Sequence, residues 1–346
     1  IASNITFFMK ILVTGGTGYI GSHTIVDLLE QGMEVVCIDN GINSDQNVLK
    51  SIEEITGKKV GFYPNDLCDN EATKHIFETE KPDGVIHFAA LKSVGDSMTQ
   101  PFEYFRNNLL SLINTLQHAH NTGTKAFVFS SSCTVYGNVS HSPVTEDTAQ
   151  QPAASVYGRT KQMGEVIIED ALQKSEMKAS LLRYFNPAGA HPSGKLGESP
   201  LQLAQNLVPV ITETAIGQRA SLQVFGTDYN TRDGSCIRDF IHVCDLARAH
   251  TLALRYLISN ANAQSIETFN LGMGQGVTVL EAINAFEKVN GIKLNYTLAD
   301  RREGDVIAIY SDYSRAKEKL GWQPQYTIED IMKTAWQWEL NKNNKA

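Results

Sequence analysis

The opening of the chain leaves little freedom of fold. A short apolar run at 10–14 (KILVT) passes into Gly15-Gly-Thr-Gly18-Tyr-Ile-Gly21, then into an amphipathic stretch from Tyr19 to Gln31 that stops at Gly32. Strand, tight glycine turn and helix make the first half of a βαβ unit. Its glycines permit positive φ and let backbone approach a pyrophosphate at the positive end of the helix. The spacing GxxGxxG is a variant of the dinucleotide-binding fingerprint. A second buried strand follows at 34–38, and Asp39 stands at its carboxyl end, 18 residues after Gly21. A carboxylate there accepts hydrogen bonds from an adenosine ribose and repels a 2′-phosphate. The neighbouring Asn40, Gly41, Ile42 and Asn43 include no arginine, so the pattern predicts NAD rather than NADP.

The alternation continues with strands at 60–63, 85–89, 126–130 and 180–184 and helices at 71–80, 101–120 and around Tyr157. This rhythm predicts an α/β fold with a doubly wound parallel (Rossmann) sheet whose ligand sits at the strands' carboxyl ends. Those ends carry Asp66-Leu67, Phe88-Ala89-Ala90, Ser130-Ser-Ser132 and Phe185-Asn186. After Pro187 the rhythm breaks into irregular segments, strands at 222–225, 237–241 and 268–271, and helices at 244–258, 280–289 and from 328. The expected organisation is a leader at 1–8 ahead of Met9, an NAD-binding domain over 9–186, and a smaller C-terminal α/β substrate-binding domain over 187–340. Some chain of the second domain returns to the first, and a polar tail closes the sequence at 341–346.

Charge and cysteine usage exclude several classes of function. With a net charge of -8 and scattered Lys and Arg, the chain lacks the basic face of a nucleic-acid binder. Five cysteines without a CxxC pair and nine histidines without HExxH spacing predict a reduced, cytoplasmic protein with no structural metal. No apolar run reaches about 18 residues, so no membrane span is expected.

Chemistry enters with Ser155-Val-Tyr157-Gly-Arg-Thr-Lys161. On a helix Tyr157 and Lys161 share one face, about one turn apart. An ammonium beside a phenol favours the phenolate and is expected to lower the tyrosine pKa from about 10. The glycine loop, Asp39, Ser132 and the YxxxK pair together resemble the extended short-chain dehydrogenase/reductase family. Within it, residues 13–24 (VTGGTGYIGSHT), 86–92 (IHFAALK), 129–137 (FSSSCTVYG), 183–194 (RYFNPAGAHPSG) and 301–305 (RREGD) resemble the UDP-glucose 4-epimerase branch, over nearly the whole chain from Met9.

The resemblance implies an NAD-dependent epimerase that inverts C4 of a UDP-hexose through a transient 4-keto sugar. It implies Tyr157 as base, Lys161 holding the nicotinamide ribose, and Ser132 sharing a hydrogen bond with O4. It adds Gly15, Gly18, Tyr19, Ile20, Gly21, Asp39, Asn40, Asn43, Asp66, Leu67, Phe88, Ala89, Lys92, Asn107, Ser130 and Phe185 around the cofactor. For the UDP-sugar it implies Lys92, Asn186, Asn206, Leu207, Phe225, Arg238, Arg302, Asp305 and Ile309, and for the assembly a homodimer through the helices near 101–120 and 156–173. Ile309 stands eight residues after Arg301, where the family carries a gate whose bulk decides whether N-acetylated sugars enter. A small side chain there implies UDP-N-acetylhexosamines as additional substrates, and a register shift of one residue, to Tyr310, reverses that. Cys133 and Thr134 beside Ser132 leave a sugar dehydratase without its acid and base. Two other activities fit the scaffold: an oxidoreductase or dehydratase acting on nucleotide sugars, and a non-catalytic NAD-binding regulator.

Overall fold

A computed structural model of the chain describes residues 9–201, 204–302 and 306–343. The first half runs β1 (Lys10–Thr14), α1 (Tyr19–Glu30), β2 (Glu34–Ile38), α2 (Val48–Thr56), β3 (Gly61–Tyr63), α3 (Asn70–Glu80), β4 (Gly84–His87), α4 (Val94–Thr99), α5 (Pro101–Asn121), β5 (Ala126–Ser130), α6 (Val156–Leu172) and β6 (Lys178–Tyr184). The second half runs β7 (Asn186–Ala188), α7 (Leu207–Ala215), β8 (Leu222–Phe225), β9 (Ile237–Arg238), β10 (Phe240–His242), α8 (Val243–Ile258), β11 (Ile266–Leu271), β12 (Val277–Thr278), α9 (Val279–Asn290), β13 (Tyr296–Ala299), β14 (Ala308–Ile309), α10 (Ser314–Leu320) and α11 (Ile328–Asn343).

Seven parallel strands form the main sheet in the order β11-β6-β5-β4-β1-β2-β3. From β1 the chain winds outward to β3, then crosses back to β4 and winds the other way. The order therefore reverses between β1 and β4, where a crevice opens at the strand ends. Alternation along β1 sends Ile11 and Val13 to one apolar layer, with α1 and α8, and Leu12 to the other, with Phe77, Leu112 and Ile168. Both faces are covered, which is why the strands read as continuous apolar runs.

Two elements depart from the periodicity. The strand expected at 268–271 within the substrate half is β11, the edge strand of the main sheet beside β6. The strand expected over 237–241 is broken at Asp239: β9 pairs with β12 and β14, whereas β10 pairs with β7. A third apolar cluster, including Val208, Val224, Phe240, Phe286 and Met332, forms the core beneath these small sheets.

Candidate active site

The glycine loop closes by backbone geometry before any ligand is considered. Only Gly15 of the trio needs positive φ (+66°); there an added Cβ would stand 2.8 Å from the Ala89 nitrogen. Gly18 caps α1 in extended conformation, and Gly21 is required for space, since its Cβ would lie 2.3 Å from the Gly15 carbonyl oxygen. Asp39 accepts from the Thr17 N–H at 3.1 Å, the Gly41 N–H at 2.9 Å and the Ser44 hydroxyl at 3.0 Å. It thus fastens the glycine loop to the β2 turn and still lines the adjoining cleft. Gly15, Asp39, Asn40, Asn43, Asp66, Leu67, Phe88, Ala89 and Asn107 line that one cleft, with Ile42, Ser44, Asn65 and Leu91. A backbone cradle that a Cβ would fill, beside a carboxylate and with no lysine or arginine among the lining residues, fits NAD. Tyr19 and Ile20 begin α1 behind this loop, the Tyr19 hydroxyl donating to the Gly189 carbonyl at 2.6 Å.

Ser132, Tyr157 and Lys161 converge at the end of β5. Ser155 caps α6, its hydroxyl accepting from the Gly158 N–H at 3.1 Å, and so aims the first turn at the sheet edge. The Lys161 ammonium donates to the Ser130 carbonyl at 2.7 Å and lies 5.9 Å from the Tyr157 ring centre. Ser132 faces the phenol and favours its ionised form. The Ser132 hydroxyl accepts from the Thr134 N–H at 3.2 Å and the Thr134 hydroxyl at 3.0 Å. All three side chains are buried.

Electrostatics here reverse the expectation for the phenol. Burial pushes the Tyr157 pKa well above 10, and Ser132 only partly offsets that. Burial also pushes the Lys161 ammonium down to about 8, against the opposing pull of Glu165. Helical spacing puts the pair together; desolvation, invisible in the spacing, then acts against both charges.

On the substrate side the expected residues fall into three groups. Lys92 pairs with Glu198 at 3.4 Å, and Asn206 donates to the same carboxylate at 3.2 Å, with Leu207 opening α7. Arg302 lies 5.6 Å over the Phe225 ring, and Arg238 donates to the Val306 carbonyl at 2.6 Å. Ile309 is buried with Phe185, Val135, Tyr136 and Val144. It pairs with Arg238 in the β14–β9 register, whereas the Tyr310 hydroxyl turns to the Ser142 carbonyl at 3.3 Å. Asn186 begins β7, its N–H donating to the Asp239 carbonyl. Asp305 lies outside the described residues.

Glu198, Thr134 and Tyr184, whose hydroxyl pairs with Ser130 at 2.8 Å, were not foreseen. Thr134 had a signal, being a second hydroxyl two residues after Ser132. Glu198 sits in an irregular segment that has none.

The chain as a whole is similar to known proteins. The sequence profile described as GDP-mannose 4,6 dehydratase matches residues 12–335. A Bacillus subtilis UDP-glucose 4-epimerase is 45% identical over 337 residues, covering 97% of this chain and 98% of its own. The Stenotrophomonas maltophila UDP-glucose 4-epimerase with bound NAD and formylated UDP-arabinopyranose superposes with a TM-score of 0.94 at 42% identity, covering 98% and 100%. The Campylobacter jejuni UDP-Glc/GlcNAc 4-epimerase gives 0.83 at 39%, covering 96% and 99%.

Proposed function

We propose, because this chain belongs to the UDP-glucose 4-epimerase family, that its Tyr157, Ser132 and Lys161 carry the proton traffic of C4 inversion on a UDP-hexose. The activity is NAD-dependent epimerisation through a transient 4-keto sugar. The observation that supports these roles is the convergence of the three buried side chains at one strand end beside the dinucleotide cleft. Bound NAD supplies a reversible acceptor for the two electrons of C4.

Tyr157 takes the C4 hydroxyl proton and later returns it. Ser132 both donates and accepts, so it bridges the phenol to O4, with Thr134 holding its rotamer. Lys161, anchored on the Ser130 carbonyl, supplies positive charge that favours the phenolate. Burial opposes ionisation of Tyr157, and the oxidised cofactor, when bound, would add positive charge that favours the phenolate. Cys133, its thiol pushed by burial up to about 12, and Thr134 offer no carboxylate for eliminating a sugar hydroxyl. The activity is therefore epimerisation rather than the dehydration for which the matching profile is named.

Arg238 and Arg302 hold the diphosphate, by the fork geometry that suits phosphate oxygens. Ile309 lines the sugar end in place of a bulkier gate, and its burial against Phe185 supports that register over one led by Tyr310. UDP-N-acetylhexosamines are then substrates alongside UDP-glucose and UDP-galactose. Residues 9–186 with α8 and β11 form the NAD-binding domain and most of 187–340 the substrate domain. The assembly is a homodimer: Phe102 and Ile113 on α5 and Met163 and Val166 on α6 are exposed large apolar side chains. Residence is cytoplasmic, in keeping with five cysteines that include no CxxC pair; no described helix is long and apolar enough to cross a membrane.

The test gives purified protein UDP-galactose or UDP-N-acetylglucosamine without added NAD and follows C4 by proton NMR, with sedimentation for the dimer. Release of a keto sugar, or inversion only with stoichiometric NAD, rejects the epimerase cycle. Turnover confined to the plain hexoses rejects the role given to Ile309.

A further inference from the structure

Asp239 stands between β9 and β10, where the chain leaves one small sheet for another. It is fully buried, and its carboxylate gathers four donors. Oδ1 accepts from the Met273 N–H at 2.7 Å. Oδ2 accepts from the Ser311 hydroxyl at 2.6 Å, the Ser311 N–H at 2.9 Å and the Gly274 N–H at 3.3 Å. Its own carbonyl accepts from the Asn186 N–H at 2.9 Å. The backbone is shaped to admit it: a Cβ on Gly272 would stand 2.2 Å from Oδ2.

One residue thereby ties three distant segments to the β9–β10 junction: the start of β7, the loop after β11, and the residue two beyond Ile309. Burial, working against the lowering effect of the donors from Ser311, Met273 and Gly274, leaves its carboxyl raised to about 6. Desolvating a carboxylate is unfavourable unless charge-assisted hydrogen bonds recover the loss, and here they come from loops rather than from a helix or a sheet ladder. The proton chemistry does not use Asp239. Its neighbours, however, are substrate residues: Arg238 precedes it, Asn186 is held by its carbonyl, and Ile309 pairs with Arg238.

We propose that Asp239 is a positioning residue for the nucleotide-sugar pocket, setting the spacing between the diphosphate side at Arg238 and the sugar side at Ile309 and Asn186. This rests on the UDP-hexose function above. Loss of the carboxylate loosens both sides together, so nucleotide affinity falls while the NAD cleft and the Ser132–Tyr157–Lys161 group stay intact.

The experiment compares wild type, Asp239→Asn and Ser311→Ala as NAD-bound proteins. UDP affinity is read by titration calorimetry, kcat and KM with UDP-galactose, and NAD content after purification. The expected results are a UDP Kd raised about tenfold in Asp239→Asn and about threefold in Ser311→Ala, the scale of losing hydrogen bonds to a charged group. KM rises in parallel, kcat changes by less than about threefold, and NAD content is that of wild type. A purely structural role would lower Tm without this split between KM and kcat. Unchanged Kd and KM in folded Asp239→Asn overturn the proposal, as does loss of NAD at unchanged UDP affinity. Should Asp239→Asn not fold, Ser311→Ala keeps the carboxylate and its three N–H donors, and unchanged affinity there is equally decisive. A wild type that binds UDP but fails to invert UDP-galactose rejects the catalytic reading, and the UDP titrations still decide the role of Asp239.

Discussion

Lys161→Met separates what the lysine does for turnover from what it does to stability. The ammonium is buried, and its pKa falls from 10.5 to about 8 on folding. At about 1.4 kcal/mol per pH unit, that lowering corresponds to about 3 kcal/mol of stability forgone at pH 7. The folded state binds fewer protons than the unfolded state between those two values, so stability rises with pH through that window. The penalty is full below about pH 8 and shrinks to under about 1 kcal/mol by pH 10. Methionine fills a similar volume with no charge. It abandons the hydrogen bond to the Ser130 carbonyl, a loss of about 1 kcal/mol. The variant is therefore expected to be more stable than wild type by about 2 kcal/mol at pH 7 and roughly equal to it at pH 10, while turnover falls by at least about a hundredfold. Urea unfolding of cofactor-free protein at the two pH values measures the difference. An advantage that is absent at pH 7, or that does not shrink by pH 10, would show that desolvation of Lys161 is not the controlling effect.

Tyr157→Phe keeps the fold and the bound NAD but lowers turnover at least about a hundredfold, the low end for a positioned acid–base group; wild-type-like rates by NMR remove Tyr157 from the mechanism. Asp39→Arg breaks the ties to Thr17, Gly41 and Ser44 and puts a cation at the ribose, so NAD content after purification should drop; unchanged occupancy refutes the ribose assignment. Arg183→Leu leaves Glu165 buried beside Ser131 without its bidentate partner, whose nitrogens sit at 2.9 and 2.7 Å. It is expected to destabilise the fold by about 3 to 5 kcal/mol in urea, and a loss under about 1 kcal/mol would mean the pair is not sealed from water.

What could be read from the chain alone is what local rules govern. The β1–glycine loop–α1 unit, Asp39 at the end of β2 and the pairing of Tyr157 with Lys161 each depend on residues within one element or one turn of each other. Periodicity and spacing therefore specify them. Tertiary structure decided the rest. That the run at 268–271 is the seventh strand of the main sheet, that a strand breaks at Asp239 to feed two sheets, and that Glu198 meets Lys92 and Asn206 depend on partners up to about a hundred residues away in sequence. The ionisation of the site belongs there too. Spacing brought an ammonium to a phenol, but how much water surrounds either group is a property of the closed fold, and that exclusion of water raises one pKa and lowers the other.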